Sequence, residues 1–231
     1  MNRKAFVILA FVMFLTMTGY GIVFPSLPYV AERLGLSAFE MGSLVTGWAV
    51  AQLVATPIWG RFIDSFGRKP VLFIGLAGFG IAFLAIIFVE SYGQLLLARI
   101  IGAALSSGSI PAALTIVADS TNKEQRAISM AKMGAVNSLG FLCGPAIGGV
   151  FSPFGMNAPF IVAGCLSLIS LPLVFIFIKE PEKKQAKKEE DSAGILTTLS
   201  LMTKAGYREL YLLTLGKALA ASILFAILGY Y

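Results

Sequence analysis

Apolar residues run in long blocks along this chain, and polar residues gather in the short gaps between them. A hydrocarbon layer of about 30 Å, crossed at about 1.5 Å per residue, needs about 20 mostly apolar residues. Seven stretches meet that length, at roughly 5–28, 41–60, 70–89, 94–118, 127–151, 157–179 and 209–231. They lack the alternation of a barrel strand, and lipid leaves no place for an open sheet edge. The pattern predicts an all-α membrane protein. Residues 180–208 interrupt it, beginning Glu-Pro-Glu-Lys-Lys-Gln-Ala-Lys-Lys-Glu-Glu-Asp. A stretch so charged cannot bury a core and predicts a solvated linker. The expected organisation is a six-helix bundle over 1–179, a charged linker over 180–208 and a seventh transmembrane helix over 209–231.

Composition agrees. Hydrophobic residues make up 57% and charged residues 13%, against about 25% charged in soluble domains. The first stretch follows Arg3 and Lys4, but its apolar core outruns the 7 to 15 residues typical of a signal peptide. It runs into Pro25-Ser26-Leu27-Pro28 rather than a small-residue cleavage site, so it is expected to stay in place.

The cations orient the chain. With the N-terminus in the cytoplasm, 15 lysines and arginines fall on the cytoplasmic side and only Arg33 outside, leaving Arg99 and Lys217 within helices. The formal net charge of +6 therefore belongs to membrane topology, and nucleic acid is not an expected partner. Two cysteines in apolar segments, Cys143 and Cys165, and no histidine give neither a disulfide framework nor a zinc site. No nucleophile–base pair or paired carboxylates appear, so neither an enzyme nor a cofactor is expected.

Four features carry possible chemistry. Gly60-Arg61-Phe62-Ile63-Asp64-Ser65-Phe66-Gly67-Arg68-Lys69-Pro70 reads as a short loop between the second and third stretches. Asp64 and Arg68 are four apart and can pair if that segment is helical. Gly60 and Gly67 permit close approach or positive φ. Arg99 lies about six residues, roughly 9 Å, into the fourth stretch. An arginine at mid-membrane costs about 2.5–3.5 kcal/mol. Arg99 therefore reads as a transport or proton-coupling group, a structural hydrogen-bond donor, or a side chain reaching for the interface. On the fifth stretch Gly140, Gly144 and Gly148 form one smooth strip, with Pro145 and Gly149 beside it. Small residues at that spacing admit a neighbouring backbone, either within the bundle or across a seam to another part of the protein. Gln52, Asn137 and Phe24 are candidate lining of a substrate cavity. No carboxylate lies near mid-membrane in the first six stretches.

These residues carry a resemblance. Gly60-x-x-x-Asp64-x-x-Gly67-Arg68-Lys69 resembles motif A of the major facilitator superfamily. Leu95-Leu-Leu-Ala-Arg99-Ile-Ile-Gly102 resembles its motif B. Gly140-Phe-Leu-Cys-Gly144-Pro145-Ala-Ile-Gly148-Gly149 resembles motif C, the antiporter signature of the drug-efflux branch. Asp119 and Arg126, between the fourth and fifth stretches, also fit. The match departs at Ala131, where motif C often begins with glycine, and at Gly102, where motif B usually has a polar residue. The resemblance covers about residues 5–180 and implies the N-terminal half of a proton-coupled exporter of small amphipathic compounds in the plasma membrane. Asp64, Arg68 and Asp119 would clamp its two halves on the cytoplasmic side. For proton coupling, the titrating acid would lie in a C-terminal half that this chain barely begins, or protonation would occur near Asp64, Arg68 and Asp119; a lone half is expected to transport nothing. A seven-helix receptor or channel is the alternative; it leaves the 60–70 segment unexplained.

Overall fold

The computed structural model describes residues 3–155 and 157–180, together with Glu209 and Gly216, and leaves out the side chain of Phe24. The rest of the expected linker and the seventh helix over 209–231 lie outside the described residues. Two units divide at residue 182, Met1–Glu182 and Lys183–Tyr231. The helices described below belong to the first.

Among its described residues, that unit consists of helices and short connections. In chain order the helices are α1 (Arg3–Arg33), α2 (Ala38–Phe66), α3 (Arg68–Ala85), α4 (Tyr92–Ser106), α5 (Ser109–Asp119), α6 (Lys123–Phe151) and α7 (Ala158–Phe177). α4 and α5 are two halves of one span, so among the described residues six helical spans are long and apolar enough to cross a membrane. α2 starts at a capping box in which Ser37 and Glu40 each satisfy the other's backbone N–H.

Two boundaries differ from the sequence expectation. The loop predicted over 60–70 shrinks to one residue, because α2 continues through Asp64 to Phe66 and α3 begins at Arg68. Only Gly67 is non-helical there, at φ +108°, a conformation glycine adopts without a Cβ penalty. Gly60 has helical neighbours and open space beside it, so close approach within the unit does not explain it.

The second difference is the interruption of the predicted 94–118 helix at Ser107 and Gly108. Pro111 has no N–H to continue the ladder there. The Ala104 carbonyl accepts from the Trp59 indole at 2.6 Å and from the Ser107 hydroxyl at 2.9 Å. Irregular backbone at membrane depth needs such substitutes.

α1 packs against α6 and α7, and α3 against α7, α4 and α5. The core has a cluster toward each end. One gathers Leu9, Met13, Leu72, Leu76, Ile116 and Val174 near the α2–α3 hinge. The other gathers Ile22, Leu44, Phe79, Phe83, Leu95 and Phe160 at the far end. α2 and α6 are mostly uncovered: Leu53, Val54, Leu142 and Val150 on them are more than 60% exposed.

Candidate functional site

The hinge end concentrates charge. Gly67 donates its N–H to the Ile63 carbonyl at 3.2 Å, closing α2. Arg68 then turns inward, and its Nη2 stands 2.8 Å from Asp119 Oδ2 at the last residue of α5. Both side chains are largely shielded, at 11% and 23% exposure. Asp64 remains exposed on the last turn of α2, so Arg68 pairs with Asp119 rather than with the acid four residues before it. The physical reason is the chain reversal at Gly67, which breaks the helical spacing that pairing with Asp64 requires. Arg126, in the first turns of α6, has a shielded Nε without a hydrogen-bond partner among the described residues. Lys69 reaches across to α7, where its Nζ donates to the Phe175 carbonyl at 2.8 Å and lies 5.2 Å from the Phe175 ring centre.

The far end holds a small cleft of about 10 Å³, lined by Tyr20, Trp48, Phe79, Phe83, Arg99 and Ser106. The Arg99 guanidinium carbon stands 5.7 Å from the Trp48 ring centre, a cation–π geometry. Its Nε is shielded and has no hydrogen-bond partner among the described residues. The Tyr20 hydroxyl donates to Ser106 Oγ at 2.9 Å, and the Tyr20 ring packs 4.2 Å from that of Phe79. Among the described residues, no carboxylate lines the cleft. Arg99 therefore has an aromatic face and two hydroxyls near it, with donor capacity left over.

Of the other predicted cavity residues, Gln52 and Asn137 are half-buried on α2 and α6 and do not line this cleft. Asn137 Oδ1 is shielded without a partner among the described residues. Phe24 lies outside the described side chains. Sequence reading missed Ser106, Phe79 and Phe83 as lining residues. The serine-rich run Ser106-Ser107-Gly108-Ser109 inside an apolar block was the available signal for Ser106.

The glycine strip on α6 meets α1. A methyl group on Gly140 would lie 2.5 Å from the Phe14 carbonyl oxygen, and one on Gly144 would strike the backbone of Gly21. Gly148 faces Ile22 at ordinary contact distance. These three glycines thus serve close packing within the bundle. Pro145 and Gly149 are exposed, and nothing lies within 4 Å of a methyl group placed on Gly149. The helix is continuous through Pro145.

Comparison with known proteins gives this geometry a setting. Over 183 residues the chain is 32% identical to the quinolone resistance protein NorA of Staphylococcus aureus, covering 79% of this chain and 47% of that protein. Over 179 residues it is 33% identical to multidrug resistance protein 2 of Bacillus subtilis, covering 78% and 45%. The chain thus spans about half the length of the curated relatives it matches. Its fold is similar to that of the human organic anion transporter MFSD10 (TETRAN), with a TM-score of 0.65 at 22% identity, over 78% of this chain and 48% of that one. The model of the Major Facilitator Superfamily matches residues 9–231, and the chain belongs to that family of membrane transporters.

Proposed function

We propose that this chain is the N-terminal portion of a secondary transporter that exports small amphipathic compounds in exchange for protons. It works by alternating access, two halves rocking about a central site. The observation that carries the reading is an arginine held at membrane depth in an aromatic cleft, in a chain similar to two proteins named for drug resistance. Tyr20, Trp48 and Phe79 offer flat apolar surface for an amphipathic compound. Arg99 supplies charge and donors where a membrane otherwise has neither. The Arg68–Asp119 pair at the opposite end fits a role in conformational locking rather than substrate contact. Pro145 and Gly149 lie on a face of α6 that a second half can cover, alongside the exposed length of α2. In this reading the protein sits in the plasma membrane with its N-terminus and hinge in the cytoplasm.

Vesicles preloaded with a fluorescent amphipathic dye test the proposal under an imposed proton gradient. The chain alone should move no dye. The same chain continued by five further spans should move it, and collapse of the gradient should stop it. Efflux by the 231-residue chain alone would overturn the half-transporter reading. No efflux by the longer protein would overturn the export reading. Orientation has its own test: a cysteine replacing exposed Asp64 should resist impermeant thiol reagents in intact cells, and ready labelling would reverse the assignment.

A further inference from the structure

The first turn of α3 has no cap of its own. Gly67 precedes it and has no side chain to accept from the first N–H groups. Helix starts leave those donors unpaired, and burial without a partner is costly. Here each is accounted for. Gly67 N–H goes to Ile63, and Pro70 has no N–H to satisfy. Arg68 N–H donates to Glu180 Oε1 at 2.7 Å, and Lys69 N–H donates to Glu180 Oε2 at 2.7 Å. A residue 112 positions away supplies the cap.

We propose that Glu180 is a positioning residue that clamps the α2–α3 hinge and so sets Arg68 for its pair with Asp119. Both carboxylate oxygens are used on consecutive amides, at the end of a helix whose dipole favours negative charge. The bonds are charge-assisted and short. The backbone atoms they fix are those from which the Arg68 side chain leaves toward Asp119. The same contact gives Gly67 a second reason to be glycine. A methyl group there would stand 2.8 Å from Glu180 Oε1, besides straining φ at +108°. Lys69 reciprocates by donating to the Phe175 carbonyl near the end of α7, two turns or less before Glu180. Each helix end thus borrows its cap from the other's segment. The acid that opens the charged stretch belongs structurally to the hinge.

Hydrogen exchange on the membrane-embedded chain tests this without reference to transport. In Glu180→Gln, one carbonyl oxygen replaces two carboxylate oxygens and an NH₂ group faces an N–H. The Arg68 and Lys69 amides should exchange about tenfold faster, as loss of a charge-assisted bond implies. Glu182→Gln, two residues on, should leave them unchanged. Unaltered protection in Glu180→Gln, or equal loss in Glu182→Gln, would overturn the clamp. A thermal double-mutant cycle tests the positioning role. If Glu180 sets Arg68, the shift caused by Asp119→Asn should shrink by at least half in the Glu180→Gln background. Strict additivity of the two shifts would show independent contacts and overturn that role.

Discussion

Two arginines divide the labour in this bundle. Arg68 meets a carboxylate at 2.8 Å and has its backbone N–H held by a second acid. Arg99 meets an indole ring and the neighbourhood of two hydroxyls, with no acid among the described residues of its cleft. A shielded cation paired with a carboxylate is part of the scaffold, because losing either partner strands the other's charge. A cation answered only by a π face is left with an unused donor, as at Arg99 Nε among the described residues. The same residue type is thus structural at one end and available at the other, and its partners decide which.

The comparison can be broken by measurement. The largest expected effect is at Asp119. Asp119→Ala should lower the stability of the bundle by about 3 kcal/mol, since it leaves Arg68 shielded and unpaired; calorimetry or denaturant melts in detergent read this. A cost as small as that of a surface substitution would remove the distinction between the two arginines. Next is Trp48→Leu, which keeps apolar bulk but deletes the cation–π contact. A loss of about 1–2 kcal/mol is expected, and transport by the longer protein should fall. Tyr20→Phe removes the bond to Ser106 and should cost about 1 kcal/mol in the same melts. Smallest is Asp64→Asn, at an exposed carboxylate beside the hinge. It should change stability by less than about 0.5 kcal/mol. A larger loss would mean that Asp64, not Asp119 alone, steadies Arg68.

What could be read in the sequence depends on the range of each interaction. The first six spans were legible because lipid demands about 20 apolar residues in a row and almost nothing else satisfies that demand. The positions of Arg68 and Arg99 were legible for the same reason, since cations stand out in such company. Their partners were not. Asp119 lies across a reversal and three helices from Arg68, and Glu180 looks from its neighbours like the first residue of a solvated run. The one-residue hinge was hidden because Arg61, Asp64 and Ser65 suggest a loop, whereas a helix end outside hydrocarbon tolerates all three. The break between α4 and α5 was hidden in a block apolar enough to read as one span. The strip Gly140, Gly144 and Gly148 was visible as a packing surface, but sequence spacing could not name α1 as what it packs against.

The jointed fourth span has a mechanical meaning. An unbroken rod from Arg99 to Asp119 would be about 30 Å long and would carry any tilt at one arginine's surroundings straight to the other's. The interruption at Ser107 and Gly108, with the Trp59 indole on the Ala104 carbonyl, leaves two shorter rods in place of one. The continuous rod between the two ends is instead α3, which carries Arg68 at its start and the cleft residues Phe79 and Phe83 further along.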